Sequence, residues 1–90
     1  MNEPVGYELV LSEKATDQLD TLNKPERERI VKKLEWIAAR VESLEHYMMT
    51  GDWAGSYRYK IGDYRVIYDL DHKEKIMLVI RIGHRKDVYD

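Results

Sequence analysis

Leu11, Ala15, Leu19 and Leu22 recur every three to four residues, the spacing that gathers apolar side chains on one face of a helix. Ser12 stands at the front of this stretch as an N-cap, and the apolar run 7–11 ahead of it reads as a short strand. Asn23-Lys24 breaks the pattern, and Pro25 suits the first turn of a second helix. There Ile30, Leu34, Ile37, Val41 and Leu44 fall on one stripe, with Val31 and Ala38 beside it. The tight link between the two predicts an antiparallel helix hairpin. Over 45–55 the periodicity fails; Gly51, Asp52 and Gly55 predict a loop, anchored to the core by Met48, Met49 and Trp53. Three strands follow, at about 56–61, 64–70 and 75–82. Gly62-Asp63 between the first two is the Gly-X pair of a two-residue type II′ hairpin, and 71–74 is a polar second turn.

The predicted order is β-α-α-β-β-β in one α+β domain, residues 1–90. Its antiparallel sheet, a three-strand C-terminal meander plus the N-terminal strand, packs on the helix hairpin. Ninety residues leave room for one sheet and one helical layer.

A two-residue turn fixes which residues face each other. It sets Ile61 opposite Tyr64, Tyr59 opposite Val66 and Tyr57 opposite Tyr68 on an apolar, aromatic face. The other face pairs Lys60 with Arg65 and Arg58 with Ile67, so three cations cluster. Like charges directly opposite on a sheet destabilise by a few tenths to about 1 kcal/mol, so stability alone disfavours this arrangement. An anion site, most naturally for phosphate, suits it: Arg offers a planar fork and Lys a point charge. Carrying the alternation into the last strand places Leu78, Ile80 and Ile82 beside Arg65 and Ile67 as an apolar floor. It turns Arg81 to the helix side, to pair with a helix carboxylate. Trp36 and Trp53 read as packing residues, and His46 and His72 as solvated.

The net charge of −2 hides an asymmetry. Residues 1–55 hold 7 Lys/Arg against 11 Asp/Glu, whereas residues 56–90 hold 8 against 6, so the positive excess lies with the cation cluster. With no cysteine there is no disulfide or thiol chemistry. No apolar run approaches the roughly 18 residues of a membrane span, and the start, Met1-Asn2-Glu3-Pro4, lacks the basic and apolar stretches of a signal peptide. A soluble, cytoplasmic protein without membrane contact is expected. The three histidines lack metal-ligand spacing, and no glycine-rich phosphate loop or nucleophile elbow occurs, so no metal or cofactor is expected.

Three segments together resemble the RelE family of type II toxin–antitoxin toxins: Tyr57-Arg58-Tyr59-Lys60, the strand 62–68 (GDYRVIY) and the ending 83–89 (GHRKDVY). The helix hairpin and the 51–55 loop fit the same architecture. The resemblance implies a RelE-like fold and a metal-independent endoribonuclease that cleaves mRNA in the ribosomal A site. It also implies a cognate antitoxin that neutralises the toxin in a hetero-oligomer. The family's groove residues map onto Arg58 and Lys60, then Arg65, Arg85 and Tyr89. Two departures stand out. Ribosome-dependent members are usually strongly basic, whereas this chain has a pI near 5.9, and Thr50 occupies a place where many relatives carry Lys.

In the family's reaction the RNA 2′-OH attacks the adjacent phosphate and the 5′-oxygen leaves. Arg keeps its proton at any ordinary pH, so Arg58, Arg65 and Arg85 are assigned to charge stabilisation. Base and acid then fall to Lys60, Tyr89 or His84, the last being the side-chain type that titrates nearest neutrality. Two readings stay open beside this one: a ParE-like toxin that inhibits DNA gyrase, and a catalytically weak protein of the same fold that only binds an antitoxin.

Overall fold

The computed structural model describes residues 6–86. In chain order its elements are β1 (Glu8–Leu11), α1 (Glu13–Asp20), α2 (Lys24–Ala39), β2 (Tyr47–Met48), β3 (Tyr57–Ile61), β4 (Tyr64–Asp71) and β5 (Ile76–His84). Ser12 caps α1, its hydroxyl accepting the Ala15 N–H at 3.0 Å. Asn23, which reads as a helix breaker, also starts the next helix: its side chain accepts the Glu26 N–H at 3.0 Å, with Pro25 in the first turn. α2 ends at Ala39 and a 3₁₀ turn, Val41–Ser43, follows. Val41 and Leu44 therefore leave the helix, yet both still pack on the core.

The sheet order is β1-β5-β4-β3-β2. β3, β4 and β5 form the expected antiparallel meander. β1 lies beside β5 and runs parallel to it, Glu8 opposite Ile76, so the sheet is mostly rather than wholly antiparallel. Parallel neighbours need a long connection, and here the helices and three strands supply it. At the other edge Tyr47 and Met48 pair with Arg58 and Tyr57. Part of the segment expected as loop is thus a strand, too short to show a period-two pattern. Met48 is 62% exposed on it and is no core anchor.

One face of the sheet carries the core. Ala15, Leu19, Ile30, Leu34 and Ile37 of the helices meet Val66, Tyr68, Met77, Val79 and Ile82, all buried. Tyr57, Tyr59 and Tyr64 pack half-buried against them, as the hairpin register predicts.

The hairpin turn has the geometry its sequence asks for. Gly62 adopts φ +60° and Asp63 does not take a positive φ, the combination of a type II′ turn. An L side chain at Gly62 carries a penalty of about 1–2 kcal/mol. The Arg29 guanidinium, 2.9 Å from where a Cβ would sit, must also move aside. Gly62→Ala is therefore expected to lower the melting temperature by roughly 4–8 °C for each kcal/mol lost. An unchanged melting curve would show that this turn does not hold the register.

The last strand departs from simple alternation. Arg65 pairs with Gly83, Val66 with Ile82 and Ile67 with Arg81, but Tyr68 pairs with Val79. Ile80 is the extra residue of a β-bulge, which shifts the faces of β5 by one position. α1 braces the bulge. The Ser12 hydroxyl donates to the Ile80 carbonyl at 2.8 Å, and Gln18 Oε1 accepts the Ile82 N–H at 2.7 Å. Two expectations fall to this slip. Ile82 belongs to the helix-side core and does not floor the cation face, and Arg81 stands on the cation face, away from the helices.

Candidate active site

The outer face of the sheet can be read as transverse rows. One row runs Gly83, Arg65, Lys60 from β5 to β3. The next runs Arg81, Ile67, Arg58, Tyr47 from β5 to β2. Strands lie about 4.8 Å apart, so Arg58, Lys60, Arg65 and Arg81 gather within roughly two strand spacings. Arg65 Nη1 donates to the carbonyls of Gly62 and Tyr64, each at 3.3 Å, which folds its side chain back over the hairpin. Asp69, in the next row, accepts a hydrogen bond from the buried Ser56 hydroxyl at 2.5 Å. Ile67 is fully buried between Arg58 and Arg81 and gives the face an apolar floor. Such a floor lowers the local dielectric and strengthens attraction to an anion.

A groove of about 430 Å³ opens over this face, lined by Tyr47, Arg58, Tyr59, Lys60 and Arg65. A second cavity, about 420 Å³, is lined by Met48, Met49, Thr50, Trp53 and Arg58. Arg58 is common to both. Across the sheet from Arg58, the Arg81 guanidinium sits 5.2 Å from the centre of the Trp53 ring, a cation–π contact.

The structure thus brings together Arg58, Lys60 and Arg65 as the hairpin register predicts. Arg85 follows β5, and its N–H donates to the Asp63 carbonyl at 2.9 Å, which extends the ladder by one step. By alternation it falls on the side of Gly83 and Arg65. His84 does not join them. It pairs with Tyr64, stacks edge-on against that ring at 5.8 Å, and lines a separate cavity with Gln18, Thr21 and Leu22 on the helix side. The bulge puts it there, one position past Gly83. Tyr89 lies outside the described residues.

Two residues of this face are missing from the sequence expectation. Tyr47 enters through the short edge strand, and Arg81 through the bulge. His46, expected in solvent, is held on both ring nitrogens. Nε2 lies 2.7 Å from the Val41 carbonyl, and Nδ1 lies 2.6 Å from the Tyr68 hydroxyl. A carbonyl can only accept, so Nε2 carries the proton and Nδ1 accepts from Tyr68. Burial pushes the Tyr68 hydroxyl well above the ordinary phenol range and keeps it a donor. His46 leads directly into β2 and so anchors the segment that delivers Tyr47. His72 is exposed and bonds the Tyr7 hydroxyl at 2.7 Å. Trp36 is no core residue: it is 37% exposed, with Lys33 4.1 Å and Arg40 4.8 Å from its ring centre. Among the described residues no three His, Asp or Glu side chains gather as metal ligands, and no helix is long and apolar enough to cross a membrane.

Comparison with known structures places this fold among type II toxins. The toxin–antitoxin complex RelBE2 from Mycobacterium tuberculosis superposes with a TM-score of 0.81 at 21% identity, covering 90% of this chain and 100% of that one. The RelE–RelB complex from the archaeon Pyrococcus horikoshii gives 0.72 at 24%, covering 93% and 100%. The isolated RelE toxin of E. coli gives 0.68 at 25%, covering 87% and 83%. Among curated proteins none matches in sequence. The family described as the ParE toxin of type II toxin–antitoxin systems, parDE, matches residues 9–89. The chain belongs to that family and is a type II toxin of the RelE/ParE superfamily.

Proposed function

We propose that this toxin is an endoribonuclease that cuts mRNA, acting on the ribosome and without a metal ion. The observation that carries the reading is the cluster of Arg58, Lys60 and Arg65 around one groove on one face of the sheet. A 2′-oxygen attacking its neighbouring phosphorus builds negative charge on the phosphoryl oxygens. Preorganised cations at that point stabilise the transition state more than the ground state. Arg58, Arg65 and Arg85 serve in this role, and Arg58 and Arg65 also hold the phosphate. As the 2′-O–P bond forms and the P–O5′ bond breaks, one proton leaves the 2′-hydroxyl and another reaches the 5′-oxygen. Lys60 and Tyr89 are the candidates for these two transfers. His84 is set aside because its ring stands on the opposite face. Tyr47 supplies a ring on which a base can stack. A cognate antitoxin, laid over the helix hairpin and the basic groove in a hetero-oligomer, fits a chain of this family and would shield the cations.

The match to the ParE family favours a second reading, inhibition of DNA gyrase by binding. One experiment separates the two. The toxin is added to a translating extract and mRNA ends are mapped by primer extension, while gyrase-linked DNA breaks are scored in parallel. Defined mRNA cuts with intact DNA are expected. Gyrase-linked breaks with intact mRNA would replace the ribonuclease with the gyrase inhibitor.

A further inference from the structure

The cavity of about 420 Å³ beside the main groove differs from it in character. Met48, Met49, Thr50, Trp53 and Arg58 line it, and Arg58 is the one charged side chain among them. The main groove holds that same arginine together with Lys60 and Arg65. At Arg58 a cationic side thus gives way to a neutral side that carries a ring, two thioethers and a hydroxyl. The neutral side has the size of a small-ligand pocket, roughly 300–1,000 Å³.

The loop that walls it is built rather than slack. The Met49 N–H donates to the Ser56 carbonyl at 2.8 Å, which carries the β2–β3 ladder one step beyond Met48–Tyr57. The Ala54 N–H donates to the Gly51 carbonyl and the Ser56 N–H to the Trp53 carbonyl, each at 3.0 Å. Gly51 opens this turn at φ +70° with nothing within 4 Å of where a Cβ would stand, so the glycine serves the shape of the turn and not a close contact. Trp53 is therefore presented on a fixed loop, and the Arg81 guanidinium, 5.2 Å from its ring centre, holds it further. Met48 is left 62% exposed on the cavity wall. Flexible, polarisable methionine beside an aromatic ring makes an adaptable apolar surface.

We propose that this cavity takes a nucleobase of the RNA, that of a nucleotide adjoining the phosphate held by Arg58. This rests on the ribonuclease reading above. A base hangs from the sugar beside its phosphate, so a phosphate on Arg58 leaves a neighbouring base at the mouth of the cavity. There the base stacks on the Trp53 ring, as bases do on aromatic platforms, and the two methionines pack around it. The Thr50 hydroxyl, a donor and an acceptor at once, is the one neutral hydrogen-bonding side chain of the lining and pairs with the base edge. A second phosphate would find a single cation here, already engaged by the first.

The test couples the ring to the base. Short mRNAs carry one abasic ribose at each position flanking the mapped cut in turn, which removes the base and keeps the phosphate and the 2′-hydroxyl. Cutting rates are compared for the wild-type toxin and Trp53→Ala. At one position adjacent to the cut, the abasic sugar is expected to slow the wild type by roughly five- to a hundredfold, the size of one base–aromatic stack. Trp53→Ala should be slowed by a similar factor on ordinary RNA and no further on that abasic RNA, because the two changes remove the same contact. Met49→Ala, which leaves Trp53 and its contact with Arg81 in place, should show coupling at the same position even if Trp53→Ala folds poorly. Losses that multiply independently at every position would overturn the proposal while leaving the ribonuclease reading intact. So would a Trp53→Ala toxin that cuts like the wild type and needs more antitoxin for neutralisation, the mark of a protein-docking seat. A wild-type toxin that cuts no ordinary mRNA would remove both readings.

Discussion

Arg65→Ala and Arg85→Ala are each expected to abolish growth arrest when the toxin is expressed without its antitoxin, and to leave the fold as stable as before or slightly more so. The two halves of that result have one cause. Arg65 faces Lys60 directly across the β3–β4 ladder, where a like-charge pair destabilises by a few tenths to about 1 kcal/mol. Removing the arginine relieves that repulsion. It also removes a cation from the proposed phosphate site, a loss worth roughly 10²–10³ in rate for a group of this kind. Activity and stability should therefore move in opposite directions, which a residue retained for packing does not do. Arg85, exposed one ladder step past Tyr64–His84, should lose activity alike and leave stability unchanged. Growth on induction and thermal unfolding of the purified variants provide the two readings. A double variant that still arrests growth would refute the site.

His46→Ala is expected to cost the fold roughly 2–4 kcal/mol. The substitution leaves the Tyr68 hydroxyl without its acceptor and the Val41 carbonyl with only the long 3.4 Å bond from the Leu44 N–H. An orphaned buried hydroxyl costs about 1–3 kcal/mol, and the weakened carbonyl adds to that. The imidazole also packs edge-on against the rings of Tyr57 and Tyr68, at 5.7 and 5.8 Å, and those contacts go too. Tyr68 is fully buried, so water does not readily replace the lost acceptor. Tyr68→Phe removes the donor itself and should cost less, about 1 kcal/mol, because half-buried His46 can turn to solvent. In the double variant the losses should be less than additive, since both remove one shared bond. Chemical denaturation of the three variants checks this, and a His46→Ala loss below about 0.5 kcal/mol would show the network to be incidental.

The contrast between these two sites explains what could be read from the chain alone. The β3–β4 face was legible because Gly62-Asp63 leaves one turn type, and the turn then dictates every pair from Ile61–Tyr64 to Tyr57–Tyr68. Nothing comparable fixes β5. Residues 76–80 are an unbroken apolar run, so a bulge at Ile80 leaves no mark, and every assignment after it, Arg81 above all, inherits the slip. What sets the slip is Ser12 and Gln18, more than sixty residues earlier. His46 failed for a similar reason: its partner Tyr68 lies 22 residues away, and a polar residue just past a helix reads as solvated. β1 reads as a strand from its apolar run, but its direction against β5 depends on the whole chain between them. His84 inherits the same slip, which carries it with Ile82 to the helix side.

The reaction proposed for this toxin is cleavage of RNA by attack of a 2′-hydroxyl on a phosphate held by Arg58, Lys60 and Arg65. Its most direct test is an mRNA in which the single nucleotide on the 5′ side of a mapped cut carries 2′-deoxyribose, incubated with the toxin in a translating extract. The cut is expected to disappear at that position, and cuts elsewhere in the same molecule to persist. Continued cutting at the deoxy position would contradict it.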